Sequence, residues 1–286
     1  MRVYTPPMVA AIKRLGGGAL LLACFFGQPA TAEPTRIVSL NVCTDQLLLA
    51  LADPNQIAGL SIFAADPAFS FLAERAAAFP HDAADAETAI RHQPDLVVSD
   101  QYTRRDTKAL LKRLGYPLLE LALPETVDAS IEQVRAVATL LGHPERGVAL
   151  ADEIAAARKQ AAATVAATGA RRVAAYERRG YVPGGATLFA DLLTAVGWRT
   201  SDLAGAYGAF VPLEKLISEP PDYLLASGPL SRPEDQGAAL LAHPALLKLF
   251  PAEKRLILPG RLTVCAGPSL PEAFRTVFML RAVEEM

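Results

Sequence analysis

The residues best suited to hold another molecule stand just after short apolar runs. After Arg36–Leu40 come Asn41, Val42, Cys43 and Thr44; after Ile57–Ile62, Phe63 and Asp66; after Asp95–Ser99, Asp100, Gln101, Tyr102 and Arg104. In the second half, Arg172–Tyr176 leads to Glu177, Arg178, Arg179 and Tyr181, Asp222–Ser227 to Gly228, and Arg255–Leu258 to Arg261, Thr263 and Cys265. If these runs are strands of open α/β sheets, the loops lie at their carboxyl ends, where such sheets bind ligands. Aromatic rings there offer apolar area and cation–π contact, and arginines offer charge-assisted hydrogen bonds to anionic groups. That chemistry suits recognition of a large planar or anionic molecule. Taken singly, each arginine also reads as a solvated rim charge.

Bond-breaking chemistry finds no support. The chain has no G-x-S-x-G elbow, no H-E-x-x-H and no glycine-rich phosphate loop. His81, His92, His143 and His243 are scattered through loop-like, proline-flanked contexts, whereas a bare-metal site needs clustered ligands. We therefore expect neither an enzyme nor a resident metal or cofactor. The lone Trp198 follows Gly197 at a helix end and reads as packing.

The elements that must position these loops alternate along the chain. Between the strand candidates, to which Leu118–Ala122 belongs, lie helical stretches at Thr103–Leu114, Ala186–Val196, Glu234–Phe250 and Ser269–Glu285. Continuous apolar strands alternating with helices indicate α/β architecture, with mainly parallel sheets covered on both faces. The alternation breaks from Asp128 to about Thr168, where the sequence is helical throughout. Pro144 suits a first helical position and Gly169 a helix end, so the alanine-rich segment between them predicts a helix of about 37 Å. Placed mid-chain, it reads as a spine joining two Rossmann-like lobes, residues 33–127 and 171–286, with 128–170 as the helical connector. A repeat supports the division: Glu87 stands seven residues before Pro94-Asp95, and Glu214 seven before Pro221-Asp222, each pair leading into an apolar strand.

Residues 1–32 read as a removable export signal rather than part of the fold. Arg2, Lys13 and Arg14 precede the apolar run LGGGALLLACFF, and Ala30-Thr31-Ala32 has the form of a cleavage site. The run falls short of the ~20 residues a membrane span needs. A lipidated Cys24 is the alternative, weighed below cleavage after Ala32. The full chain has 286 residues, 51% hydrophobic, with 28 Lys+Arg against 30 Asp+Glu. Without the signal it has 254 residues and 25 Lys+Arg, a net charge of −5. That balance excludes disorder and nucleic-acid binding by bulk charge, and we expect a monomer.

The opening strand RIVSLNVCTDQLLLAL, the two Glu-x6-Pro-Asp segments, the mid-chain helix and the closing Ala266-Gly267-Pro268-Ser269-Leu270 occur in a telling order. Over residues 34–286 the chain resembles periplasmic substrate-binding proteins of the helical-backbone class, which deliver cobalamin, haem or ferric siderophores to ABC importers. The resemblance implies two lobes gripping a ligand in a shallow cleft. It also implies one outward glutamate per lobe that docks on the inner-membrane permease, here Glu87 and Glu214, although a first-turn glutamate also complements a helix dipole. The arginine set then favours an anionic ferric siderophore over neutral cobalamin, with haem or a corrinoid as alternatives and a periplasmic hydrolase on the same fold as the alternative of another kind. Cys43 and Cys265 fall on opposite lobes, and three readings stay open: inert small residues, a disulfide across the cleft, or soft contacts to a bound metal complex. The disulfide, which would restrict opening, is not favoured.

Overall fold

The computed structural model describes residues 33–163, 171–228 and 239–284. The first sheet and its helices run β1 (Ile37–Ser39), α1 (Val42–Leu51), β2 (Ile57–Ser61), α2 (Ala73–Ala76), β3 (His81–Asp82), α3 (Ala86–Arg91), β4 (Leu96–Asp100), α4 (Arg105–Arg113) and β5 (Leu118–Leu121). Two longer helices follow, α5 (Val127–Leu140) and α6 (Pro144–Ala162). The second sheet comprises β6 (Arg172–Ala175), β8 (Arg199–Thr200), β10 (Tyr223–Ala226) and β11 (Arg255–Ile257), while β7 (Tyr181–Val182) and β9 (Ala209–Phe210) form a small antiparallel pair. Around these lie α7 (Leu188–Ala195), α8 (Leu213–Ser218), α9 (Pro244–Leu249) and the closing α10 (Leu270–Glu284).

Both main sheets are parallel, in the orders β3-β2-β1-β4-β5 and β11-β10-β6-β8. Strand β1 is buried along its length because helices cover both its faces; Ile37 and Val38 are apolar, and the buried Ser39 hydroxyl is satisfied by that of Thr44. One apolar core runs through both halves, containing Ile37 and Leu48, Val134 and Ile154 of α5 and α6, Val173 and Leu225 of the second sheet, and Phe274 of α10. Trp198 lies in this core, as its position after Gly197 implies.

The helical connector forms a tight pair. The Thr126 hydroxyl caps α5 by accepting from the Ala129 N–H, and Pro144 opens α6. Gly147 lets the two approach closely, since a Cβ there would stand 2.5 Å from that of Ala138. Ala151, Ile154, Ala157 and Ala161 form the buried stripe of α6, which packs against both α5 and α10. That stripe makes the inner face of α6 part of the core. The predicted continuation to Thr168 and the Gly169 cap lie outside the described residues, as does the export segment.

The sequence repeat corresponds to a repeated clip. The Asp95 carboxylate accepts from the Arg36 N–H, and the Arg36 guanidinium donates to the His92 carbonyl. In the second half the Asp222 carboxylate accepts from the Arg172 N–H, and the Arg172 guanidinium donates to the Pro220 carbonyl. Each clip fixes the start of the first strand of its sheet to the start of a neighbouring strand.

Two predicted helices change. The segment Thr103–Leu114 begins later, at Arg105, because the Asp100 carboxylate accepts from the N–H groups of Tyr102 and Thr103 and holds a turn. The segment Glu234–Phe250 is interrupted: His243 is extended (φ −62°, ψ 131°), as a residue before proline prefers, leaving a 3-10 turn at Leu240–Ala242 and then α9. Its first residues, up to 238, lie outside the described ones.

Candidate ligand site

A strand order that reverses about its first strand opens a crevice at the carboxyl ends on either side of the reversal. In the first sheet the reversal falls between β1 and β4. The loop after β1 is short: Asn41 caps α1, its side chain accepting from the Cys43 N–H. After β4, the Asp100 turn projects Tyr102 outward, 68% exposed, with Arg104 beside it. The Lys108 ammonium, buried and paired with Glu120, donates to the Asp100 carbonyl and steadies that turn from behind. The loop after β2 adds Phe63 and Phe69, edge to face at 5.8 Å between centroids. Together these side chains enclose a cavity of about 490 Å³ built wholly from the first lobe.

In the second sheet the reversal falls between β6 and β10. There the Ser227 hydroxyl, after β10, donates to the Glu177 carboxylate, after β6, at 2.6 Å. Burial pushes the Glu177 carboxyl above its ordinary range, against the lowering influence of that hydrogen bond. The chain then turns through Arg179 and Gly180, at φ 60° and 79°; a Cβ on Gly180 would stand 2.8 Å from the Val211 carbonyl. A cavity of about 650 Å³ opens here, walled by Glu177, Arg178, Tyr181, Phe189 and Arg261 from the second lobe and by the Pro67–Phe69 loop from the first.

The predicted residues therefore divide. Asn41, Phe63, Tyr102 and Arg104 share the first cavity, and Arg178, Tyr181 and Arg261 the second. Phe69, missing from the prediction, lines both; its signal was a second phenylalanine six residues after Phe63 in the same strand-end loop. Arg179 lines neither cavity and lies over the Phe210 ring at 5.4 Å, with Tyr181 edge-on to that ring.

Three predicted ligand contacts are corrected. Thr44 is 1% exposed because α1 begins at Val42 and turns it inward, where its hydroxyl bonds Ser39 and the Asn41 carbonyl. Cys43 and Cys265 form a disulfide, the disfavoured reading, because the loop before α10 lies against the first turn of α1. Neither sulfur is then a soft ligand for a metal complex. Among the described residues no group of three or more His, Cys, Asp or Glu side chains could hold a bare metal ion. His92 pairs instead with Asp82, and His143 with Asp53.

With two parallel sheets and a crevice on each, the chain can be set beside known proteins. It matches the family described as "Periplasmic binding protein" over residues 37–255. The chain belongs to that periplasmic binding protein family. This is a family of solute-binding transport proteins, so the hydrolase alternative falls. Among solved structures, the periplasmic heme-binding protein RhuT from Roseiflexus sp. RS-1 is similar at 26% identity and TM-score 0.68, over 87% of this chain and 98% of its own. The periplasmic heme-binding protein HutB of Vibrio cholerae shares the fold at 18% identity and TM-score 0.70, over 86% and 98%. The vitamin B12 binding protein BtuF of Vibrio cholerae does so at 14% identity and TM-score 0.67, over 88% and 99%. Compared by sequence with curated proteins, the chain has no match.

Proposed function

We propose that this periplasmic binding protein captures an anionic iron chelate in the interlobe cavity and passes it to the permease of an ABC importer, with haem as the first candidate and a ferric siderophore as the second. The supporting observation is the composition of that cavity. Phe69, Tyr181 and Phe189 offer apolar walls for a flat ring system, and Arg178 and Arg261 offer charged groups for carboxylates at its edge. The similarity to RhuT, a heme-binding protein, moves haem ahead of the siderophore. A neutral corrinoid makes less use of the arginines. Export by the 1–32 segment would put the protein where such ligands arrive.

Delivery would use Glu87 and Glu214. Both occupy the second position of a short helix's first turn, and both face solvent, with the Glu87 side chain 87% exposed. Glu87 contacts Arg91 only at 3.9 Å, leaving its carboxylate open to a stronger basic partner. The test is spectroscopic titration of the exported protein with hemin, a ferric hydroxamate and cyanocobalamin, whose absorbances are separable. We expect hemin to saturate the site. Binding of cyanocobalamin alone, or of none of the three, overturns the assignment. With Glu87→Lys and Glu214→Lys combined, hemin binding should persist while stimulation of the permease's ATPase is lost.

A further inference from the structure

We infer that Asp45 and Gln46, adjacent on α1, are positioning residues for the ligand: they clamp the two ends of the loop that carries Phe63 and Phe69, and so fix one wall of the interlobe cavity. The inference rests on the proposed reading of that cavity as the ligand site. Neither side chain lines a cavity; both are fully buried, on a helix whose other inward residues are mostly leucine. A buried polar group costs free energy unless it is hydrogen-bonded, so what each one holds is informative.

Asp45 holds the loop where it leaves β2, its carboxylate accepting from the Ser61 N–H at 3.1 Å and from the Ser61 hydroxyl at 2.5 Å. Gln46 holds it where it ends, its side-chain oxygen accepting from the Phe71 N–H at 3.3 Å. The Gln46 Nε2 has no hydrogen-bond partner among the described residues, so the acceptor is the half of the amide in use. Between the clamps the loop is wound on Asp66, whose carbonyl accepts from the Phe69 and Ser70 N–H groups and whose carboxylate accepts from the Ala68 N–H. A segment wound in this way moves as a unit, and its ends set where Phe69 stands. A second wall of the same cavity, Arg261 to Val264, is fastened to the same helix through the disulfide from Cys43 to Cys265. Helix α1 therefore places both walls from behind, without touching the ligand.

The experiment is a double-mutant cycle in the exported protein, with hemin affinity read by absorbance titration. Gln46→Met keeps the length of the side chain and removes the acceptor. It should weaken hemin binding roughly five-fold, the worth of one hydrogen bond. In a Phe69→Ala background the same change should cost nothing, because the ring it positions is gone. Ser61→Ala, which cuts the other clamp with little change in volume, should behave likewise and carries the test if Gln46→Met does not fold. Equal losses with and without Phe69 overturn the inference, since general damage to the fold weakens binding in both backgrounds. Wild-type affinity in both clamp variants overturns it too. Hydrogen exchange of the ligand-free protein gives a second readout: Gln46→Met should speed exchange at the Phe71 amide and across residues 62–71 while α5 and α6 stay protected. If hemin does not bind, the functional reading falls and this exchange alone decides the clamp; unchanged exchange over 62–71 overturns it.

Discussion

Cys43 and Cys265, 222 positions apart, are joined by a disulfide with their Cα atoms 5.1 Å apart. The bond fastens the first turn of α1 to the segment that leads into α10. That segment is pinned further where the Gly267 N–H donates to the Ser130 hydroxyl, and Gly267, at φ 86°, leaves no room for a side chain, since a Cβ there would stand 3.1 Å from the Leu47 Cδ2. Closing so long a loop constrains the unfolded chain strongly, by up to about 5 kcal/mol in the chain-entropy model, with ~2–4 kcal/mol the usual yield. Replacing both cysteines by alanine should therefore lower the unfolding free energy by ~2–4 kcal/mol. Urea denaturation with and without reductant checks this. Reductant should shift the wild-type midpoint and leave the double variant unmoved; equal midpoints for all four conditions would show that the bond contributes nothing.

Why that pairing was open in the sequence is physical. Spacing along the chain carries no information on whether two loops meet, so inert, bridged and metal-contacting cysteines look alike. Strands such as Val97–Val98 and Leu224–Leu225 are legible because burial on both faces demands unbroken apolar runs. The two-residue strands β3, β7, β8 and β9 are too short to leave a period. Thr44 falls inside rather than in the cleft because only two residues separate β1 from α1, and on a helix successive side chains rotate by about 100°, so, two residues on, a side chain faces nearly the opposite way. The break at His243 was hidden by the leucines on both sides of it. As for the site, sequence ranks residues by loop but cannot say which loops share a cavity, so one expected cleft became two.

Glu177 should make ligand capture depend on pH. Its carboxyl, raised by burial, lines the same cavity as Arg178 and Arg261, and when ionised it opposes an anionic ligand. As pH falls through its raised pKa the negative charge is lost, so affinity for hemin should rise toward acid. Glu177→Gln should bind hemin about five-fold more tightly at pH 8, corresponding to ~1 kcal/mol of repulsion removed. It should also flatten the rise in affinity toward acid. Titrations over a series of pH values from the ordinary carboxyl range up to pH 8 decide it; an unchanged pH dependence in the variant would assign the effect elsewhere.

Asp45 couples stability to pH in the direction opposite to an exposed, paired carboxylate. It is fully buried on α1, where its two oxygens accept from the Ser61 N–H and hydroxyl. Burial pushes its pKa up to about 7, and the hydrogen bonds with Ser39 and Ser61 only partly offset that. Between the ordinary carboxyl range and pH 7 the folded state therefore binds more protons than the unfolded state. Its contribution to stability is present in acid and is lost as pH rises through about 7, by roughly 4 kcal/mol between the limits. Asparagine reproduces the neutral acid, with its carbonyl accepting from the Ser61 N–H and its amide donating toward the Ser61 hydroxyl. Asp45→Asn should match the wild type within ~1 kcal/mol at pH 4 and exceed it by roughly 4 kcal/mol at pH 8. Urea midpoints of the two proteins at both pH values give the comparison directly, because titrations elsewhere in the chain cancel in the difference. A gap that does not widen toward pH 8 would place the Asp45 pKa in the folded protein back in the ordinary range.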